Sequence, residues 1–177
     1  EKMAFSFLTP GCTVSFGGSM TLEDTGMLTA LRHDPGITLL DRAQAKTPEE
    51  TKKIYHDALS SDFYFMSTNA ITKDGELVNI DGTGNRVAAL IYGPEHVIVM
   101  AGMNKVAANV DEALSRVHGT ATPMNCKRLG KNTPCSATGV CSDCLSPDCI
   151  CNQVVITRRS GIEGRIKVIL IGEELGY

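Results

Sequence analysis

Short apolar runs alternate with segments whose apolar positions recur at the helical period. The runs Thr13–Phe16, Phe63–Met66 and 96–101 are nearly continuous, which is typical of strands buried on both faces. Segments 21–31, 47–59 and 105–118 carry apolar residues three or four positions apart, as an amphipathic helix does. The repeated order of strand, turn and helix predicts an α/β fold with a Rossmann-like, mostly parallel sheet and helices on both of its faces.

The last third of the chain departs from this repeat. Residues 120–152 are rich in Pro, Gly, Ser, Asn and Cys, which predicts a Cys-rich loop within a single domain spanning residues 1–177. The apolar runs Gln153–Thr157 and Ile166–Ile171 flank a polar, Gly-containing stretch. They predict a C-terminal antiparallel hairpin added to the parallel sheet.

Composition excludes several classes of protein. Apolar residues make up 42 % of the 177 positions, which suits a globular domain. The formal net charge of −3 and the lack of a Lys/Arg run argue against nucleic-acid binding. No apolar stretch approaches the roughly 20 residues that a membrane span needs. We therefore expect a cytoplasmic protein with no membrane span and no nucleic-acid partner.

Three glycine-containing turns each follow a predicted strand, at 17–19, 82–86 and 102–105. Turns at the carboxyl ends of parallel strands share one edge of the sheet, where open α/β sheets bind ligands. Glycines in such turns also occur for purely steric reasons, so each turn alone is a weak signal. Together they predict a site for a small anionic metabolite, with binding residues Gly17, Gly18, Ser19, Asn69, Gly82, Gly84, Asn85, Arg86, Gly102, Asn104 and Lys105.

Two carboxylates precede the second turn. Glu76 and Asp81 are the acidic residues nearest the predicted site, so they are the candidate acid, base or nucleophile. In the alternative interpretation, polar residues of this stretch such as Asn69, Glu76 and Asn79 satisfy backbone groups of the loop. The four histidines are scattered along the sequence, and none is assigned a catalytic role.

Seven cysteines are many for a cytoplasmic chain, and five of them lie between positions 135 and 151. Cys141 and Cys144 form a CxxC pair, and Cys135, Cys149 and Cys151 could complete four-coordination of zinc or an iron–sulfur cluster. Free or redox-active thiols and a disulfide are the alternatives. The remaining two, Cys12 and Cys126, are expected to be ordinary buried thiols.

Several motifs resemble those of the LUD (lactate-utilisation) domain family. They are Ser-Phe-Gly-Gly-Ser-Met-Thr-Leu at 15–22, Ser-Thr-Asn-Ala-Ile-Thr at 67–72, Asp-Gly-Glu-Leu-Val-Asn-Ile-Asp-Gly at 74–82, and the segments 133–152, 164–168 and 172–177. The resemblance covers essentially the whole chain and implies a NagB/RpiA/CoA-transferase-like fold. It also matches the family pattern at the predicted metal ligands Cys135, Cys141, Cys144 and Cys151. At Cys149 the family pattern would have a basic residue.

The resemblance implies a component of a system that oxidises lactate to pyruvate, with iron–sulfur oxidoreductase subunits as partners. This component would bind a small anionic metabolite at the sheet edge, and a metal or Fe–S cluster through its cysteines. One alternative is a transferase or isomerase acting on acyl-CoA or a sugar phosphate through Glu76 or Asp81. Another is a non-catalytic assembly subunit that docks on an iron–sulfur oxidoreductase. A homodimer is left open as well.

Overall fold

A computed structural model describes all residues, 1–177, and shows nine strands and eight α-helices. The strands are β1 (Thr13–Phe16), β2 (Thr38–Leu40), β3 (Phe63–Met66), β4 (Ala70–Thr72), β5 (Leu77–Asp81), β6 (His96–Gly102), β7 (Val106–Ala107), β8 (Gln153–Thr157) and β9 (Ile166–Ile171). The helices are α1 (Lys2–Phe5), α2 (Met20–Asp24), α3 (Met27–His33), α4 (Pro48–Ala58), α5 (Asn85–Ile91), α6 (Val110–Arg116), α7 (Thr122–Arg128) and α8 (Pro134–Thr138).

The main sheet has five strands in the order β2-β1-β3-β6-β9, and all of its pairs are parallel. Alternate side chains of its strands enter two different cores, as the two-residue period of a strand requires. Val14, Phe65 and Met100 pack in one core with α2 and α3, whereas Met66 and Val99 pack in the other with α4 and α5. The predicted α/β fold, with a mostly parallel sheet and helices on both faces, is confirmed.

A second, four-stranded sheet in the order β7-β4-β5-β8 lies beside the first. It is mixed, since β5 runs antiparallel to both β4 and β8, whereas β4 and β7 are parallel. Its small core includes Ala70, Val78, Ile80 and Val117, which brings α6 and the turn after it onto this sheet. The second predicted glycine turn therefore follows a strand of this sheet and not of the main one.

The predicted C-terminal hairpin is wrong. β8 pairs antiparallel with β5, with Val78 opposite Ile156, whereas β9 pairs parallel with β6, with Val99 opposite Val168. Each strand thus completes a different sheet. Without β8 and β9, backbone N–H and C=O groups along one edge of β5 and of β6 would be unpaired, and buried backbone groups require hydrogen bonds. Two adjacent apolar runs joined by a short connection do not by themselves determine which strands they pair with when other strands also have unpaired edges.

Two helical predictions also need correction. The helix expected over 21–31 is two helices, because Gly26 between them adopts a left-handed φ of 71°. The N-cap of the first of these helices is Ser19, whose side chain accepts the Leu22 N–H. The expected loop over 120–152 contains α7 and α8, so its first half is partly helical.

Helix α6 continues through a π-helical turn, Val117–Ala121, into α7. Pro123 has no N–H to donate to the preceding turn, which accounts for the local widening of the hydrogen-bond ladder. None of the helices is long and apolar enough to cross a membrane.

Candidate functional site

A cleft of about 510 Å³ opens where the second glycine turn meets the first turn and α7. Its polar lining comes from six parts of the chain that are separated in sequence. These polar residues are Arg42, Tyr55, Asn69, Asp81, Thr83, Asn85, Arg86, Thr122, Asn125, Arg128, Lys131 and Cys149, with Gly18 and Gly82 exposing backbone. The cleft therefore combines a predicted part, the glycine turns, with cationic residues that the sequence analysis did not select.

Close backbone contacts hold the first two turns against each other. A Cβ atom at Gly17 would lie 3.1 Å from Cγ and Cδ of Arg86 and 3.2 Å from the Tyr64 hydroxyl. A Cβ atom at Gly18 would lie 2.6 Å from Nη2 of Arg42. A side chain added at either position would therefore require the neighbouring arginine side chain, which crosses the backbone there, to shift.

Arg86 organises the floor of the cleft. Its Nε lies 3.2 Å from Oδ2 of Asp81, and its two Nη atoms donate to Ser67 O, Asn79 Oδ1, Asn69 Oδ1 and Ile80 O. All five N–H groups are therefore engaged within the protein, and its side chain is only 12 % exposed. Arg86 was predicted to bind the anion; in the structure its contacts are with the protein, and they position the surrounding loops.

Both carboxylate oxygens of Asp81 are likewise engaged within the protein. Its Oδ1 accepts the N–H groups of Thr83, at 3.1 Å, and Gly84, at 2.8 Å, which shapes the second turn, and Oδ2 faces Arg86. Gly84 itself has a φ of 91°, a conformation that other residues rarely adopt. The other candidate carboxylate, Glu76, lies at the opposite end of β5 beside Thr72 and does not line the cleft. Of the two, the structure brings only Asp81 to the site.

The third glycine turn does not line the cleft, because segment 173–177 covers it. Asn104 accepts the Leu175 N–H at 3.2 Å and donates to Gly176 O at 3.1 Å. A Cβ atom at Gly102 would lie 2.6 Å from the Leu175 nitrogen. Lys105 is buried, and its Nζ donates to Thr21 Oγ1 at 2.8 Å and to Ser67 Oγ at 3.0 Å.

Positive charge dominates the cleft. Arg42, Arg86, Arg128 and Lys131 line it, against the single carboxylate of Asp81. The structure contains three salt bridges, and none of them involves Arg42, Arg128 or Lys131. These three cations are therefore not neutralised by the protein, which favours an anion in the cleft.

These three cations are not among the binding residues predicted from the sequence, for two reasons. Arg42 follows the end of β2, so the rule that ligands gather at carboxyl ends of parallel strands could have selected it. Arg128 and Lys131 lie in the stretch that was interpreted as a Cys-rich loop. Arg128 is the last residue of α7, and the position of this helix places it at the cleft.

The cysteine segment forms one wall of the cleft. Ile150 packs on Gly82, where an added Cβ would lie 3.2 Å from the Ile150 Cβ, and Asn152 donates to the Gly82 carbonyl at 2.9 Å. Cys149 faces the cleft directly. The cysteine-rich segment and the predicted anion site are thus in direct contact.

The four predicted metal ligands do not form a coordination set in this structure. Each thiol contacts a different partner, and no group of three or more His, Cys, Asp or Glu side chains could hold a metal ion. The contacts are Cys135 with Thr133, Cys141 with His118, Cys144 with Ser146 and Cys151 with Thr122. The residues as placed do not fit a metal or Fe–S cluster, and such a centre stays a prediction.

The thiols differ in acidity. Burial raises the pKa of Cys151 to about 12, so this thiol is protonated at neutral pH. Hydrogen bonds from Ser146, first from its backbone N–H, lower the pKa of the half-buried Cys144. Of these two thiols, Cys144 therefore has the greater thiolate character.

Comparison with known proteins agrees with the motifs. A model of the LUD domain family matches residues 2–171. The chain belongs to the LUD domain family. Membership of this family supports a role associated with lactate utilisation. A separate comparison with curated proteins found no match.

Three solved structures are similar to parts of the chain. A DUF162 family protein from Deinococcus radiodurans is 12 % identical, with 92 % of this chain and 88 % of that one covered and a TM-score of 0.39. eIF2B delta from Chaetomium thermophilum is 20 % identical over 64 % of this chain, with a TM-score of 0.38. Ribose 5-phosphate isomerase from Plasmodium falciparum is 14 % identical over 61 % of this chain, with a TM-score of 0.36. The LUD domain spans about half of the last two, 48 % and 50 % respectively.

Proposed function

We propose that this LUD domain acts in a lactate-utilisation system by binding a small anionic metabolite in the cleft. The observation that carries the proposal is the set of three cations, Arg42, Arg128 and Lys131, that line one cleft without a carboxylate partner. A cleft of about 510 Å³ admits a ligand the size of a small carboxylate or a sugar phosphate.

The cationic side chains are partly preorganised. The Arg42 guanidinium stacks 5.9 Å from the centre of the Tyr55 ring, and Nη2 of Arg128 donates to Asn125 Oδ1 at 2.8 Å. Held side chains lose less conformational entropy when a ligand binds, so they contribute more of their attraction to affinity. A guanidinium fork also matches the two oxygens of a carboxylate or phosphate.

Calorimetric titration with lactate, pyruvate, a sugar phosphate and an acyl-CoA tests the proposal. Arg42→Gln and Arg128→Gln should each weaken binding about tenfold or more, because each removes a charge-assisted hydrogen bond. Lys52→Gln, an exposed change on α4 away from the cleft, is the matched control and should bind as the wild type does. Equal affinity in all four proteins would contradict the proposal.

Docking on an iron–sulfur oxidoreductase is the second candidate function, and exposed apolar side chains favour it. β8 and β9 are edge strands of the two sheets and expose Val154, Ile156, Val168 and Leu170, of which Val154 is 54 % exposed. Co-purification of an iron–sulfur subunit with the wild type, but not with Ile156→Glu, would support this function. Retention by both proteins would place the contact elsewhere.

A metal or Fe–S cluster at Cys135, Cys141, Cys144 and Cys151 is a separate proposal that rests on the sequence. It requires these thiols to leave their present partners and converge. Metal analysis and a visible spectrum of anaerobically purified protein, beside Cys144→Ser, test it. Metal-free wild-type protein would refute it.

A further inference from the structure

The buried amine of Lys105 has no carboxylate partner. Its residue is 3 % exposed, and its Nζ donates only to two hydroxyls, those of Thr21 and Ser67. Buried lysines are ordinarily paired with an acid, since an unpaired charge is costly to remove from water. An amine in this position is either kept neutral or held for an anion that comes from outside the protein.

The charged groups around Lys105 are mostly cationic. The positive charges of Arg116 on α6 and Arg86 on α5 disfavour its charged form, and the Asp24 carboxylate on α2 favours it. Asp24 already accepts the Gly176 N–H at 2.8 Å, and Asp81 is engaged by Arg86. Burial, followed by these two arginines, lowers the pKa of Lys105 to about 7.

A second observation points to the same place. The side-chain nitrogen of Asn79 is buried and has no hydrogen-bond partner, although the residue is fully enclosed. Nη1 of Arg86 donates both to Asn79 Oδ1 and to Ser67 O, so Arg86 links Asn79 to Ser67, whose hydroxyl accepts from Lys105. A buried donor without an acceptor is costly, and an added oxyanion would satisfy it.

Segment 173–177 covers Lys105 and connects it to the cleft. Thr21 Oγ1 donates to Leu175 O at 3.1 Å, and a Cβ atom at Gly176 would lie 3.3 Å from Nζ of Lys105. Tyr177 donates its hydroxyl to Asn125 and accepts from Arg128, both of which line the cleft. An anion that draws Arg128 into the cleft would therefore loosen the cover.

We propose that Lys105, Ser67 and Thr21 form an inner anion site beneath segment 173–177, which takes the carboxylate or phosphate end of the ligand. This inference rests on the proposed anion-binding function and deepens it. The anion supplies the missing negative charge and favours the protonated form of Lys105. The ligand class is a small metabolite with an oxyanion at one end, whose remainder lies in the outer cleft.

The test is an NMR titration of protein carrying ¹³Cε-labelled lysine, with sulfate as the probe. Sulfate carries no titrating proton near neutral pH, so any change in protonation belongs to the protein. Lys105→Arg identifies the Lys105 resonance by its loss, and the exposed Lys127 serves as an internal control. The pKa of Lys105 should rise by about 1 or more at saturating sulfate, as an adjacent opposite charge requires. Ser67→Ala, which keeps the lysine, should reduce that rise.

The outcomes separate the two proposals. Calorimetric sulfate binding that Arg42→Gln weakens, with a Lys105 pKa unchanged by sulfate, would overturn the inner site and leave the outer cleft intact. A Lys105 pKa that rises over the same range of sulfate concentration in wild type and Arg42→Gln would support the inner site and contradict the role of Arg42 in the cleft. No sulfate effect in either measurement would overturn the inner site.

Discussion

Nε of Arg86 lies 3.2 Å from Oδ2 of Asp81, and this ion pair joins the second sheet to the floor of the cleft. Asp81 ends β5 and shapes the glycine turn, while Arg86 reaches back to carbonyl groups of residues 67 and 80. The pair therefore fixes the turn and the strand ends in one arrangement, and its partners are buried with it.

Removal of one partner of this pair should destabilise the protein strongly. Arg86→Met leaves the Asp81 carboxylate buried without its counter-charge and should lower the free energy of unfolding by about 3–5 kcal/mol. Asp57→Asn, which breaks the exposed Lys53–Asp57 pair on α4, is the control and should cost about 0.5 kcal/mol or less. Urea denaturation measures both, and equal losses in the two variants would contradict the structural role of Arg86.

Gly17 should tolerate little added volume. Gly17→Val places a side chain against Arg86 and the Tyr64 hydroxyl and should lower the free energy of unfolding by about 1–3 kcal/mol. Gly17→Ala should show the same effect at smaller size, because its Cβ requires shifts of only a few tenths of an ångström. Gly161→Ala has open space around the added Cβ and should be nearly neutral in the same thermal and urea melts.

Arg165 should be essential for the end of α5. Its buried guanidinium donates to the carbonyl groups of Ala89, Leu90 and Pro94, which would otherwise be unpaired. Arg165→Met should cost about 2–3 kcal/mol of stability and speed amide exchange in residues 85–95. The exposed Arg159→Met is the matched control, and similar exchange in both variants would refute this capping role.

Asp62 should contribute stability that depends on pH. Its Oδ2 accepts the Thr13 N–H at 2.6 Å and the Thr13 hydroxyl at 2.7 Å, which lowers the pKa of Asp62 below its usual value of 3.8. A lowered pKa means that the stabilisation is present above pH 3.8 and is lost as the pH falls through the folded-state value. Asp62→Asn should therefore be less stable than wild type at pH 6, with a gap that closes towards pH 2.

Much of the main sheet follows from local sequence. The continuous apolar runs at β1, β3 and β6 bury both faces of each strand, so their pattern requires a central parallel sheet. The cap of α4 is also local, since Thr47 accepts the Glu50 N–H three residues later. The strands and this helix were predicted from the sequence because the interactions that decide them lie within a few residues.

The cleft depended on contacts that no local pattern contains. Arg42, Arg86 and Arg128 come from the ends of three different elements, and only chain packing places them around one space. The same holds for the two final strands, which looked like a hairpin because their apolar runs are adjacent in sequence.

The sequence by itself determined the α/β class, the family and the region of the glycine turns, because apolar period and turn residues act over short distances. Tertiary structure alone decided that Glu76 lies away from the cleft, and that segment 173–177 covers the third turn. It also decided that Asp81 and Arg86 form an ion pair with each other. Charge and hydrogen-bond partners act through space, so a residue's chemistry is fixed by neighbours that its position in the sequence does not reveal.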